Sequence, residues 1–388
     1  MSYRTTVLAQ VLGGLDAKEF ARCAARHPMR RTPSAISAYD HFATMVFAQL
    51  TYRESLRDIE ACLEARRQLL YHSGIRGRVK RCNLAYANTQ RDWRVFAEVA
   101  AVLMRRAHRL YADQPPEPDL PFALFALDAT LIELSLALFP WARWQSSHAA
   151  MKLNVLLDLR TDIPVFASIH EGSRNEVASL DEIPVQPDSF YVIDRYMDFQ
   201  RLHRLHTAKA FFVIRSKCNL RFYVVESRKV DKATGVRCDQ TIRLNFRKSR
   251  EHYPETLRRI RYFDTESGLS LVFLTNAFHL PALTIAAIYR RRWQIELFFR
   301  WIKQHLRLRG FFSNDPNGVR VQVWTAICAY LLVAIAKKEN ALRQSLHQVL
   351  QVVSLSCLEK VPLVELFTKH DTTNEPFDIP IQLEINGF

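Results

Sequence analysis

The sequence predicts an α/β fold with a mixed sheet, and three observations lead to this prediction. Between residues 122 and 217, apolar runs of strand length such as FALFAL and FYVI alternate with helical segments, which is the pattern of packed sheet and helix layers. These runs are apolar at nearly every position, as in strands that are covered on both faces. Helical spacing of apolar residues dominates before residue 111 and again after residue 281.

Residues 1–111 are predicted to form a basic helical domain. The segments SAYDHFATMVFAQLTY and QRDWRVFAEVAAVLMRRAHRLY place apolar residues at helical spacing. A further helix is predicted to begin at Thr51, because Glu54 follows it at the spacing of a capping box. Small basic helical domains commonly read DNA, and a basic helical domain without that role is an equally good interpretation.

The remaining chain divides by composition. Residues 112–121 are predicted to be a stiff linker, because ADQPPEPDLP is rich in proline and acids. The strand-like runs occupy 122–217, and short β-branched and aromatic segments predict a β-rich insertion at 218–280. Helical periodicity returns at 281–345, and 346–388 are predicted to be a helical tail.

Charge points to a polyanionic partner. The 388 residues carry a formal net charge of +15 and a pI near 9.7, which favours double-stranded nucleic acid first and an anionic membrane surface second. The chain has only ten glycines and contains neither GxGxxG nor GxxxxGK[ST]. We therefore expect no nucleotide cofactor.

Cysteine usage predicts a cytoplasmic protein. The seven cysteines form no CxxC pair and are odd in number, which fits free thiols in a reducing compartment. The N-terminus lacks the pattern of a secretory leader. The apolar stretch at 321–338 contains Gln322 and Thr325, and we expect a buried helix rather than a membrane span.

The segment YRRRWQIELFFRWIK, residues 289–303, contains one acid among many cations. On a helical wheel its polar side chains fall on one narrow stripe, formed by Tyr289, Arg292, Glu296, Arg300 and Lys303. Ile295, Phe298 and Ile302 lie opposite and predict a core-facing side. Such a stripe suits a carboxylate held among phosphate-binding groups, although a basic amphipathic helix with an incidental glutamate has the same pattern.

Two aspartates follow apolar strands: Asp128 comes after FALFAL and Asp194 after FYVI. Each is either a turn or capping residue or a member of a converging carboxylate set. Together with Glu296 they would supply oxygen ligands of the kind that Mg²⁺ and Mn²⁺ prefer. Carboxylates that share two divalent cations in a cationic surround are typical of phosphodiester cleavage.

The same residues carry a family resemblance. Tyr289, Arg292, Glu296 and Lys303 match the Y-R-E-K signature of DDE transposases of bacterial insertion sequences, the insertion sequence four family. FALDATLI resembles the first-aspartate region of that family and YVIDRYMD resembles the second. FAQLTYRESLRDIEACL is similar to the DNA-binding domain that many members carry.

The resemblance implies a ribonuclease-H-like core, interrupted by the β-rich insertion, with Asp128, Asp194 and Glu296 as catalytic residues that bind two Mg²⁺ or Mn²⁺ ions. Asp194 is favoured over Asp198 because it directly follows the strand. Tyr289, Arg292 and Lys303 would hold phosphates of the transposon end.

Further DNA-binding candidates flank this set. Arg300 shares the polar stripe, and Arg215 ends a strand of the predicted core. Trp293 has the chemistry to stack on a flipped base, although a buried aromatic is the commoner role.

The function that the resemblance implies is cut-and-paste transposition by a homodimer that binds terminal inverted repeats, cleaves them and joins them to target DNA. Close relatives pass through a DNA hairpin. Two alternatives stay open: a catalytically inactive DNA-binding relative and a host nuclease on the same fold.

Overall fold

The computed structural model describes residues 5–29, 36–113, 120–144, 148–173, 176–194, 198–216, 219–305 and 310–368. Most of the predicted linker at 112–121 and the end of the predicted tail at 346–388 lie outside these ranges.

The N-terminal part is helical, as predicted. Its helices are α1 Val7–Leu12, α2 Ala17–Arg26, α3 Ala38–Leu50, α4 Leu56–Ala65, α5 Arg67–Leu70, α6 Arg81–Gln90 and α7 Arg94–Tyr111, with a 3₁₀ turn at Tyr71–Ser73. The predicted start at Thr51 is wrong. Ser55 caps α4 by accepting the Asp58 N–H, whereas the Thr51 hydroxyl donates to the Phe47 carbonyl at the end of α3.

One nine-stranded sheet forms the centre of the molecule. Its strands are β1 Leu124–Leu134, β2 Ala149–Asp158, β3 Ile163–Glu171, β4 Phe190–Ile193, β5 Phe211–Arg215, β6 Phe222–Arg228, β7 Val236–Leu244, β8 Leu257–Asp264 and β9 Leu269–Thr275. The spatial order is β3-β2-β1-β4-β5-β9-β8-β7-β6. The mixed-sheet prediction is confirmed, because β1, β4 and β5 are parallel and the other pairings are antiparallel.

The β-rich segment predicted at 218–280 supplies β6 to β9. These strands do not form a separate sheet, because β9 pairs with β5 and so extends the central sheet. The buried pair Arg258 and Asp239 joins β8 to β7, with the guanidinium donating to both carboxylate oxygens. Arg258 also donates to the carbonyls of Ala277 and Leu280, which ties this extension to the segment that leads into the next helix.

The remaining helices are α8 Phe199–Thr207, α9 Arg247–His252, α10 Ala282–Arg290, α11 Trp293–His305, α12 Pro316–Glu339, α13 Leu346–Ser356 and α14 Glu365–Thr368. Further 3₁₀ turns occur at Pro140–Ala142, Glu176–Asp181 and Lys232–Thr234.

The long apolar helix α12 lies in the core, as expected. It is long and apolar enough to cross a membrane, but 94% of its most apolar window is buried inside the protein. Gln322, buried within it, donates to the Gly310 carbonyl and accepts the Phe312 N–H. A buried amide with partners of this kind serves the fold, because it satisfies backbone groups of the loop that precedes α12.

The single helix expected across YRRRWQIELFFRWIK is wrong in one respect, because the chain breaks between α10 and α11. The N–H groups of Arg292, Gln294 and Ile295 each bond three residues back, as in a tight 3₁₀ turn. The predicted core-facing side is confirmed, since Ile295, Phe298 and Ile302 are buried.

Candidate active site

Asp128 and Asp194 lie side by side. Asp194 directly follows β4, as expected, but the expectation that Asp128 ends its strand is wrong, because β1 pairs with β2 on to Leu134. β1 and β4 pair in parallel up to Leu127, which lies opposite Ile193. Asp128 and Asp194 are the residues that directly follow this pair. Neighbouring strands are about 4.8 Å apart, so the register brings both carboxylates to the same edge of the sheet. β1 continues to Leu134 against β2 after β4 has ended, and this leaves the site open on one side.

Arg292 links the first aspartate to the glutamate. Its guanidinium donates from Nη1 to Oδ2 of Asp128 over 3.4 Å and from Nη2 to Oε1 of Glu296. Glu296 lies in the first turn of α11, and α11 packs against β1. One half-buried guanidinium therefore holds together two carboxylates that are 168 residues apart in sequence (296 − 128).

Tyr289 links the second aspartate to the same cluster. Its hydroxyl donates to Oδ1 of Asp194 over 2.7 Å, and its ring packs against Phe273 with centroids 4.8 Å apart. Burial, and then the bond to Asp194, raise the pKa of Tyr289. The hydroxyl consequently keeps its proton and acts as a donor.

The electrostatic balance of the cluster rests on Arg292. Burial opposes its charge, but Tyr289, Glu296 and Asp194 around it keep the pKa of the guanidinium above its ordinary value. The Nε atom is buried and has no hydrogen-bond partner among the described residues. The Nε–H group thus remains an unused donor within a group of acids.

The other predicted DNA-binding residues surround this cluster. Arg300 is exposed and lies over the Trp293 ring, 5.9 Å from its centroid. Burial lowers the pKa of Lys303, and Glu133 on β1 opposes that shift. Arg215 ends β5 and acts electrostatically on Tyr289.

Two expectations about individual side chains are changed. The commoner role for Trp293, a buried aromatic, is wrong: the side chain is 52% exposed at the start of α11, because helical geometry places it on the side opposite the buried Phe298 and Ile302. Asp198 is the N-cap of α8 and pairs with Arg201, so it is engaged outside the cluster.

Sequence reasoning missed Glu133, whose signal is one acid within the apolar alternation LIEL.

The carboxylates fit a hard divalent cation, because all of their donor atoms are oxygens. In their present positions, no three acidic, histidine or cysteine side chains of the described ranges are arranged as metal ligands. Arg292 lies between Asp128 and Glu296, so these two would accept ions after the guanidinium turns away.

Comparison with known proteins shows the family of the chain. A model of the transposase DDE domain family matches residues 121–332, which spans every strand and the carboxylate cluster. A second model, described as a domain of unknown function (DUF4372), matches residues 3–76.

Three relatives are similar to parts of this chain. "Putative transposase y4zB" of Sinorhizobium fredii is 34% identical over 280 residues, covering 71% of this chain and 76% of the relative. "Probable transposase for insertion sequence element IS5377" of Geobacillus stearothermophilus is 28% identical over 55% of this chain and 56% of the relative. "Putative transposase for insertion sequence element IS4SA" of Synechocystis is 26% identical, covering 64% and 69%.

The family match and the relatives agree with the family resemblance of the residues Tyr289, Arg292 and Glu296, which lie in contact with the two aspartates or with one another. The chain is a member of the DDE transposase family of insertion sequences, with a ribonuclease-H-like core.

Proposed function

We propose that this transposase binds the ends of its insertion sequence and uses Asp128, Asp194 and Glu296 to cut and join DNA with divalent metal ions. The observation that carries the proposal is the meeting of three carboxylates from two strands and a helix around Arg292 and Tyr289. Their separation in sequence makes the meeting a product of the fold, since β1, β4 and α11 each contribute one acid.

The three carboxylates would hold Mg²⁺ or Mn²⁺, and two ions suit a phosphodiester displacement. Bound there, such ions supply charge neutralisation at the phosphate and activate the attacking oxygen. The carboxylates themselves fix the position of the reacting phosphate relative to the sheet edge. The ordered backbone of β1 and β4 keeps two of them in register.

Arg292 and Tyr289 have two sets of partners in this proposal. Without DNA they neutralise and orient the acids, as the present contacts with Asp128, Asp194 and Glu296 illustrate. With DNA and metal bound, both would turn to the phosphates that enter the site. A guanidinium is suited to either role, because its planar donors match carboxylate and phosphate oxygens equally well.

Lys303, Arg300, Arg215 and Trp293 would extend the DNA path. Arg215 acts electrostatically on Tyr289, and Glu133 acts electrostatically on Lys303. Trp293 offers an exposed ring and would stack on a base if one leaves the duplex.

The helical N-terminal part would bind the inverted repeats, and two copies would pair two ends on DNA. The protein would act in the bacterial cytoplasm, at the nucleoid, without a nucleotide cofactor. A hairpin intermediate is the finer step that close relatives suggest. Denaturing gels of the cleaved ends would reveal it as a product that migrates as a covalently closed duplex.

Conservative substitution of the acids tests the proposal. Asp128→Asn, Asp194→Asn and Glu296→Gln should each reduce Mg²⁺-dependent nicking of a transposon-end duplex by more than about 100-fold, because loss of a mere supporting partner costs about 10–100-fold. Duplex binding should persist in all three variants.

Asp198→Asn is the matched control, because asparagine is also a good N-cap. It should cut at the normal rate. Nicking retained in Asp128→Asn would overturn the assignment, and an inactive wild-type protein that still binds its ends would identify the catalytically dead relative. Cutting without joining to target DNA would favour the host nuclease.

A further inference from the structure

A loop in the N-terminal part concentrates positive charge. The segment GIRGRVKR at residues 74–81 joins the 3₁₀ turn to α6 and contains four cationic side chains and no acid. Its first three residues lie within the region that matches the family of unknown function, which ends at residue 76. None of the active-site contacts described above involves this loop.

Buried side chains fix both ends of the loop. Ile75 and Val79 are 1% and 3% exposed, so the chain between them bulges outward from two anchors. Ile75 also donates its N–H to the Leu70 carbonyl over 3.0 Å. Gly74 adopts a left-handed φ of 80° at the point where the chain turns into the loop, a conformation that glycine accepts without strain.

A buried carboxylate fixes the middle of the loop. Asp40, in the first turn of α3, is 5% exposed. Its two oxygens accept the N–H groups of Arg76 over 2.8 Å and Gly77 over 3.2 Å. The Ser37 hydroxyl also donates to Asp40. The backbone of the loop is therefore formed before any ligand arrives, which reduces the entropy lost on binding.

The cations of the loop differ in their surroundings. Lys80 is neutralised, since its Nζ lies 2.9 Å from Glu60 and 4.0 Å from Glu64. Arg76 and Arg78 are exposed, and no acid of the described ranges forms an ion pair with either. Two guanidinium groups on a fixed backbone are consequently available to an anionic partner.

Gly77 makes the loop narrow between these arginines. Its φ is not left-handed, unlike that of Gly74, so the backbone there does not require glycine. What glycine provides at this position is the lack of a side chain. Two exposed arginines on either side of a bare backbone unit form a thin cationic edge.

Such an edge is suited to the minor groove of DNA, which is only about 6 Å wide. Runs of A·T pairs narrow this groove further and deepen its negative potential, which attracts arginine. Arginine is better suited than lysine, because its guanidinium is more weakly hydrated than an ammonium group. A·T pairs also lack the guanine amino group that projects into this groove.

We propose that the loop Arg76-Gly77-Arg78 enters the minor groove of an A·T-rich duplex and gives the protein a preference for such DNA. This inference rests on the proposed DNA-binding function and adds a site and a class of sequence to it. Tyr71, which is 72% exposed beside the loop, would contact the adjacent sugar–phosphate backbone.

Base-analogue duplexes test the inference with the full-length protein. Three duplexes of equal length contain a central A·T, G·C or inosine·C block; inosine lacks the guanine amino group but keeps the major-groove edge of a G·C pair. Fluorescence anisotropy should give about tenfold tighter binding to the A·T and inosine·C duplexes than to the G·C duplex.

Charge-conserving variants separate groove entry from simple attraction. Arg76→Lys together with Arg78→Lys should abolish the preference while keeping the dependence of affinity on salt. Gly77→Ala should reduce the preference by widening the loop. Arg22→Lys with Arg57→Lys, two exposed arginines on α2 and α4, is the control and should bind like the wild type.

Each outcome of these binding measurements supports or overturns the inference. Equal binding of the three duplexes, or a preference that survives the double lysine variant, would overturn the inference and leave the proposed function intact. An inosine·C duplex that binds as weakly as the G·C duplex, while the A·T duplex binds tightly, would assign recognition to the major groove and also overturn it. Failure to bind any duplex would overturn both proposals.

Discussion

Glu296 is the only acid in a strongly basic segment, and its partner is nearby. Arg292, four residues earlier, reaches Glu296 along the helix and Asp128 across to the sheet. The arginine is therefore the local counter-charge of two acids rather than a surplus cation. Its cost is that any metal ion must compete with it for the same oxygens.

This competition predicts that Arg292→Gln binds Mn²⁺ more tightly in the absence of DNA. Removing a guanidinium from between two carboxylates leaves their charge uncompensated. An affinity gain of about tenfold corresponds to about 1.4 kcal/mol, close to the lower bound of about 1.5 kcal/mol for one charged hydrogen bond. Electron paramagnetic resonance of free Mn²⁺ would measure it.

Arg300→Gln is the control for that measurement, since Arg300 is exposed and contacts the Trp293 ring. Its Mn²⁺ affinity should match the wild type. An Arg292→Gln protein with unchanged or weaker Mn²⁺ affinity would contradict the competition.

His41 makes stability depend on pH. It is fully buried between α3 and α6, bonded to Asn88 over 2.8 Å. Burial, aided by the charge of Arg91, lowers the pKa of His41 to about 3. Below the unfolded pKa of about 6.5 only the unfolded chain takes up this proton, so acid favours unfolding.

As the pH is lowered from about 6 to about 4, this residue alone should therefore reduce the free energy of unfolding by about 1.4 kcal/mol per pH unit. Urea titrations at several pH values would measure it. His41→Gln should flatten the dependence by that amount, whereas His252→Gln, on α9, should not. Parallel curves for wild type and His41→Gln would refute the contribution.

At the scale of elements, the break between α10 and α11 shapes the site. Residues 289–303 read as one continuous amphipathic helix, because arginine and the neighbouring residues all tolerate helix well. The break follows from tertiary contacts instead: Tyr289 reaches Asp194 and Arg292 reaches Asp128. Sequence periodicity carries no information about such partners.

Tyr289→Phe tests the link between α10 and β4. The ring should keep its packing against Phe273, so the variant should still fold. Losing the bond to Asp194 removes about 1.5–3 kcal/mol from a charged contact, and end cleavage should slow by at least about tenfold. Single-turnover cleavage assays would measure it, and an unchanged rate would show that Asp194 is oriented without the tyrosine.

The strands were the most predictable elements, since FALFAL, FYVI and the β-branched segments of the insertion read directly as β-structure. Asp128 does not end its strand, because pairing with β2 carries β1 on to Leu134. Asp194 was predictable as the residue after a strand, and β4 does end at Ile193. The start of α4 was not, because Thr51 and Ser55 are both good N-caps and only the end of α3 decides between them. The exposure of Trp293 was not predicted either, since tryptophan side chains are highly buried on average.

At the scale of the whole molecule, α12 connects the helical N-terminal part to the catalytic part. The Tyr111 hydroxyl at the end of α7 donates to the Ala334 carbonyl on α12, and Trp93 stacks with Trp324 at 6.5 Å. Buried residues of α1, α3, α7, α12 and the sheet belong to one hydrophobic cluster. The helical N-terminal part therefore shares its core with the catalytic part.

Residues 1–111 expressed alone should consequently fail to fold cooperatively, because the apolar face of α7 would lose α12 as its cover. Thermal unfolding followed by circular dichroism should show a broad transition, against a sharp one for the full chain. A sharp, reversible transition of the fragment would show that the N-terminal part is an independent domain.

The position of the bound metal ions would show whether the three carboxylates form one site. Fe²⁺ bound in place of Mg²⁺, with DNA present, generates hydroxyl radicals on addition of ascorbate and peroxide, and these cut the polypeptide close to the ion. We expect cuts near residues 128, 194 and 296 together, and their loss in Asp128→Asn. Cuts at other positions, or at only one of the three, would contradict the shared carboxylate site.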